Sequence, residues 1–151
     1  MSERTGLLLV HAFPADATMW QAQVAALAAP DLTVVAPSHP GFGGTTVPAQ
    51  QPSLDEYADS LVRHLDDAGI GRAVSCGLSM GGYVALAFWR RHPDRIAGIL
   101  LADTKAEADT EQAQASRQAL AAKVRELGPE QAFFAAAPRP GCARTRPTGV
   151  T

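Results

Sequence analysis

Apolar segments alternate with amphipathic ones from the first residues of the chain onward. Leu7 to Val10 is a short continuous apolar run, the pattern of a buried strand. After a loop, Trp20, Val24 and Leu27 fall on one helical face. Leu32 to Ala36 is apolar and partly β-branched, which predicts a second strand stopped at Pro37. Ser53-Leu54-Asp55-Glu56 reads as a capping box, in which the serine accepts from an orphan helix N–H and the glutamate reaches back. Tyr57, Leu61 and Leu65 line one face of the helix that follows, and Gly69 supplies its stop. Ala73 to Cys76 is a third strand. Met80 to Trp89 is apolar nearly all round, which marks a buried helix. It ends in Arg90-Arg91-His92, cations where the helix dipole favours them, just before Pro93. Ile96 to Ala102 is a fourth strand, apolar throughout.

The order β-α-β-α-β-α-β predicts an α/β fold. Strands apolar on both faces and joined by helices imply a parallel sheet of about four strands covered on both sides, with right-handed crossovers. Beyond the fourth strand the character shifts. Glu107 to Leu127 is rich in Ala and Gln and carries Ala113, Leu120, Val124 and Leu127 at helical spacing, closed by Gly128-Pro129. From Pro138 to Thr151, Pro, Arg, Gly and Thr dominate and no acidic residue appears. Such a stretch buries too little apolar surface to offset its ordering entropy, and disorder is expected. The expected organisation is a core over residues 1–105, a helical segment over 106–137 and a disordered tail over 138–151.

Composition narrows the function classes. A chain of 151 residues is one domain's worth and buries roughly 68–70% of its unfolded surface. A net charge of -2 gives no nucleic-acid-binding surface. The start shows no basic segment followed by a long apolar run, and no stretch is long enough to span a membrane. Cys76 lies in a strand and Cys142 in the polar tail, so a disulfide framework is not expected and a reducing cytoplasm is the default location. Neither a metal nor a cofactor is expected, and the partner is a small-molecule substrate.

One pattern carries chemistry. Gly77-Leu78-Ser79-Met80-Gly81 has the G-x-S-x-G form, follows an apolar strand and opens a buried helix. A serine on a sharp strand-to-helix turn needs small residues two places before and after it, or side chains collide. The turn lifts the hydroxyl clear of the sheet and sets it at a helix N-terminus, where developing negative charge is favoured. Ser79 is therefore the candidate nucleophile. A dinucleotide-binding reading is poor, because no G-x-G-x-x-G follows the first strand.

With HAFP at His11–Pro14, HPGFGG at His39–Gly44, GLSMGG at Gly77–Gly82 and RHPDRIAGILLADT at Arg91–Thr104, the chain resembles the α/β-hydrolases over roughly residues 6 to 136. The resemblance implies Ser79 as nucleophile and an oxyanion hole made by the N–H groups of Met80 and Phe13. The loop before Phe13 reads His11-Ala12 where the family usually has His-Gly. Phe13 and Met80 together are similar to the esterase and cofactor-free haloperoxidase branch. The resemblance also implies that the chain supplies the third to sixth strands of an eight-stranded sheet, in spatial order 4-3-5-6, and that Glu107–Leu127 begins a helical lid.

In that family the triad follows the order Ser, acid, His. Asp103, at the end of the fourth strand, stands where some members draw their acid; most take it from the next strand, and Asp103 then caps or braces its loop. Only His92 follows Ser79, at the far end of a helix ~18 Å long, so it should point away. His11 reads as a loop brace, His39 as structural and His64 as solvated. The abrupt tail implies a truncated or frameshifted C-terminus, and an uncovered apolar edge at the fourth strand implies marginal stability or self-association. Two functions follow: a serine hydrolase acting on a small ester or related carbonyl substrate, impaired by its missing base, or a non-catalytic remnant of such an enzyme.

Overall fold

The computed structural model describes residues 4–128, 131 and 132. The chain divides into two compact units, Met1–Ala106 and Glu107–Thr151. The first holds four strands, β1 (Thr5–Val10), β2 (Val34–Val35), β3 (Arg72–Leu78) and β4 (Ile96–Ala102). They form one sheet in the order β2-β1-β3-β4 with every pairing parallel. This is the α/β architecture that the alternating pattern predicts, in the strand order that the resemblance implies. Three α-helices serve it: α1 (Gln21–Leu27), α2 (Leu54–Asp67) and α3 (Met80–Arg91). Among the described residues no helix is long and apolar enough to cross a membrane.

The core lies between the sheet and the pair α2 and α3. Leu8 and Val10 of β1, Ala73 of β3, Ala58, Leu61 and Leu65 of α2, and Val84, Ala87 and Phe88 of α3 form one buried cluster with Ile70 and Ile96. The 3.6-residue period of α2 carries this packing: Ala58, Leu61 and Leu65 fall on one stripe and are all fully buried. The capping box at its start is complete. Ser53 Oγ accepts from Glu56 N at 3.2 Å, and Ser53 N donates to the Glu56 carboxylate at 2.8 Å. Gly69 follows the helix at φ 66°, where a side chain would be strained.

Charged side chains fasten the outer ends of α2 and α3. Arg91 forks onto Asp59 with contacts of 2.7 and 2.8 Å, and Arg90 pairs with Asp55. Arg95 donates to the carbonyls of Gly71 and Ile70 at 2.7 and 2.9 Å and pairs with Asp66. These groups are partly exposed and screened by solvent, so each pair adds little to stability. They decide how the helices sit rather than whether they form.

Several local expectations shift. The second strand is two residues, not five, because only Val34 and Val35 pair with β1. Trp20 ends a 3-10 turn, Ala17–Trp20, before α1 begins, which buries its ring but leaves Leu27 39% exposed. The third strand is longer than the expected Ala73–Cys76, because pairing on both sides extends it from Arg72 to Leu78. Helix α3 is not buried all round: Trp89 is 53% exposed. Cys76 is half-buried, and burial pushes its thiol up.

In the second unit, α4 (Glu111–Leu127) starts four residues later than its composition suggests. Thr110 Oγ1 accepts from Ala113 N at 3.2 Å and caps it, and Gly128 at φ 80° closes it. Residues 138–151, expected to be disordered, and Cys142 lie outside the described residues.

Among the described residues strand β4 pairs with β3 on one side alone, and its sequence Ile-Ala-Gly-Ile-Leu-Leu-Ala contains no charge or proline to block further pairing. Leu100 and Leu101 are 54% and 43% exposed. Sedimentation velocity is expected to show a concentration-dependent rise in apparent mass, and Leu100→Lys is expected to suppress it; a monomer at all concentrations would contradict this.

Candidate active site

Strand β3 leads directly into α3 through one residue, Ser79, at φ 52° and ψ -112°. An L-residue adopts such a backbone only when its surroundings impose it, at a cost of order 1–3 kcal/mol. The surroundings are backbone contacts that no side chain could enter. A Cβ on Gly77 would lie 2.3 Å from Gly81 O, and one on Gly81 would lie 2.1 Å from Val10 O. The glycines two before and two after Ser79 are thus where the chain touches itself and β1. This is the collision that the spacing predicts.

The nucleophile candidate is held through its main chain. Ser79 N donates to Ala102 O at 3.0 Å; Ser79 O accepts from Gly82 N at 2.9 Å and from Thr104 Oγ1 at 2.8 Å. Ser79 is half-buried and its hydroxyl makes no cap hydrogen bond to its own helix. Met80, the first residue of α3, follows it, and the leading N–H groups of a helix have no intrahelical acceptor. Asp103 stands beside the turn. Leu78 pairs with Ala102 across the sheet, so Ser79 and Asp103 leave it at the same level, and both have positive φ, 52° and 43°. The Asp103 residue is exposed.

The loop after β1 is built on His11. Its ring is fully buried; Nδ1 lies 3.0 Å from Ala12 O and Nε2 accepts from His39 N at 3.0 Å. That pattern puts the proton on Nδ1 and leaves the imidazole neutral, and burial pushes its pKa below the ordinary value. His11 therefore ties the first loop to the second, which is the bracing role expected of it. Phe13, two residues on, is 47% exposed, with its ring edge-on to Phe42 at 6.1 Å. Met19 Sδ accepts from Ala12 N at 3.3 Å, and Ser38 Oγ accepts from Ala17 N at 3.1 Å. In the second loop Gly41, Gly43 and Gly44 all have positive φ. A side chain on Gly43 would strike Ser38 Oγ at 2.5 Å.

His39 is 1% exposed, packs against Tyr57 at 4.9 Å and His11 at 4.5 Å, and neither ring nitrogen has a partner among the described residues. Burial, with the nearby His11 and His64, brings its pKa down to about 3. His92 lies at the far end of α3 and pairs with Asp59 at 2.8 Å, which is the outward placement expected. His64 is half-buried on α2 rather than fully solvated, because it falls three residues after Leu61, beside the apolar stripe. Thus Ser79, Met80, Asp103 and the His11–Phe13 loop share one end of the sheet. His11 and His39 lie at that end, the first with both ring nitrogens hydrogen-bonded in the loops and the second buried with neither bonded. Thr104, which the sequence reading leaves within a longer motif, is the site residue it missed; its position two places past an apolar strand was the signal.

The chain matches the family model for the alpha/beta hydrolase fold over residues 6–134, and it belongs to that family. It is 41% identical over 101 residues to a pimeloyl-[acyl-carrier protein] methyl ester esterase of Aromatoleum aromaticum, covering 67% of this chain and 38% of that protein. It is 36% identical to epoxide hydrolase A of Mycobacterium tuberculosis, covering 62% of this chain and 30% of that one. Among solved structures, a thermophilic esterase from Thermogutta terrifontis superposes with a TM-score of 0.77 at 41% identity, covering 84% of this chain and 47% of that chain. The chain therefore spans less than half the length of each of these relatives.

Two outcomes test this geometry. Gly81→Ala is expected to cost at least about 3 kcal/mol in urea unfolding, because its Cβ meets main-chain atoms that cannot yield; a loss below about 1 kcal/mol would show that the turn relaxes. The second outcome concerns pH. The unfolded chain protonates an ordinary histidine below about pH 6.5, whereas folded His39 resists protonation down to about 3. Its contribution to stability is complete above the unfolded value and is lost as pH falls through that window, with a slope approaching about 1.4 kcal/mol per pH unit. Urea midpoints measured from pH 7 to 4 should fall accordingly, and His39→Gln should flatten the decline.

Proposed function

We propose that this chain carries the nucleophile and oxyanion machinery of a serine hydrolase acting on a small ester or related carbonyl compound. The observation that carries the reading is Ser79 at positive φ on the strand-to-helix turn, locked there by Gly77 and Gly81. In this reading Ser79 Oγ attacks the carbonyl carbon, the ester C–O bond breaks and the alcohol leaves with a proton, and water then hydrolyses the acyl-enzyme to the free acid. The N–H groups of Met80 and Phe13 stabilise the tetrahedral oxyanion, and Asp103 is the candidate acid. Relatives named as esterases support the substrate class.

The serine proton needs an acceptor. His11 uses both ring nitrogens in the loops, His39 is held neutral by burial, and His92 is engaged by Asp59. That observation favours a second reading, in which the chain alone is a non-catalytic part of a hydrolase.

Hydrolysis of a short-chain p-nitrophenyl ester by the purified chain, beside Ser79→Ala, separates the two. The expected result is slow turnover in the unaltered chain, lost in the variant and raised by added imidazole, which supplies a base, more than the variant's background is raised. Equal rates in both proteins, with and without imidazole, would move the chain to the non-catalytic reading.

A further inference from the structure

Thr104 has no part in the chemistry just described, yet it touches the nucleophile's own peptide group. Its Oγ1 donates to Ser79 O at 2.8 Å. A carbonyl oxygen has two lone pairs, so it accepts this hydroxyl and Gly82 N–H together. Room for the threonine is made by the glycine opposite: a Cβ on Gly82 would lie 2.5 Å from both Cγ2 and Oγ1 of Thr104. The second glycine of Gly81-Gly82 thus serves Thr104, whereas the first serves the contact with β1.

Ser79 O belongs to the peptide group that joins Ser79 to Met80. That group is planar, with its C=O and N–H pointing in opposite directions. Whatever holds the oxygen therefore sets where Met80 N–H points. Ser79 itself, at φ 52° and ψ -112°, lies outside the helical region, so helix geometry alone does not fix this peptide. The end of β4 and the residues after it fix it from outside: Ala102 O takes the N–H before Ser79 Cα, and Thr104 holds the C=O after it.

We propose that Thr104 is a positioning residue whose hydroxyl, by anchoring Ser79 O, aims Met80 N–H at the oxyanion. A hydrogen bond accepted by the carbonyl also polarises the peptide and strengthens its N–H as a donor. The use of that N–H rests on the serine-hydrolase reading; the orientation of the peptide does not.

Thr104→Val keeps the branched shape against Gly82 and removes the donor, and Thr104→Ser keeps the donor. In the weakly aligned, ¹⁵N-labelled full chain, the Met80 N–H residual dipolar coupling is expected to change in Thr104→Val and not in Thr104→Ser, while couplings of Val84–Phe88 hold in both. For ester turnover, kcat in Thr104→Val should fall about tenfold, less than the ~10²–10³ lost when an oxyanion donor is removed outright. KM should stay within about twofold, the mark of an interaction used in the transition state, and Thr104→Ser should recover most of the rate. An unchanged Met80 coupling in Thr104→Val overturns the proposal, as does a changed coupling with unaltered kcat. If the unaltered chain shows no Ser79-dependent turnover, the hydrolase reading fails, and the coupling alone decides whether Thr104 orients the peptide.

Discussion

The close approach of three backbone segments around Ser79 is the constraint on which the site depends. Gly77 meets Gly81, and Gly81 meets the end of β1. Atoms packed at these distances leave no room for a Cβ, so the turn from β3 into α3 is forced into a conformation that costs energy locally. The cost is borne by the sheet and the buried face of α3, whose Val84, Ala85 and Phe88 are fully buried. A strained serine of this kind needs a stiff frame, and the parallel β1-β3-β4 core is that frame.

The same economy recurs in the loops around it. The two loops at the C-terminal ends of β1 and β2 are joined by one buried imidazole, His11, used as an acceptor as well as a donor. Thr45 Oγ1, 2.8 Å from His39 O and 2.7 Å from Phe42 O, closes the second loop on itself. Neutral histidines suit this work because a charge there would be poorly solvated. Its two hydrogen bonds withdraw His11 from proton transfer, and burial withdraws His39. Histidine count and base availability are therefore separate matters in this chain.

Membership of the α/β-hydrolase family is carried by residues 6–134, and the described residues contain the whole strand-to-helix turn at Ser79. Among the described residues β4 has no strand partner beyond β3, and His11 and His92 already have hydrogen-bond partners. Leu100 and Leu101 stand exposed on the edge strand, and the chain spans less than half the length of its relatives.

Much was legible in the sequence because it depends on neighbours along the chain. Strand and helix order follows from apolar periodicity. The capping box, the Gly69 stop and the glycines around Ser79 follow from local sterics, which act over four or five residues. The placement of Ser79, Met80 and Asp103 at one end of the sheet follows from strand order in a parallel fold. The rest needed contacts between segments distant in sequence. The two-residue length of β2, the exposure of Trp89 and the extension of β3 depend on which strand or helix lies alongside. His11 was readable as a brace, but its partner, the main-chain N–H of His39 twenty-eight residues away, was not. Nor was the grip of Thr104 on Ser79 O, because a hydroxyl's partner is set by the register of β3 against β4, and that register exists only once the sheet has formed.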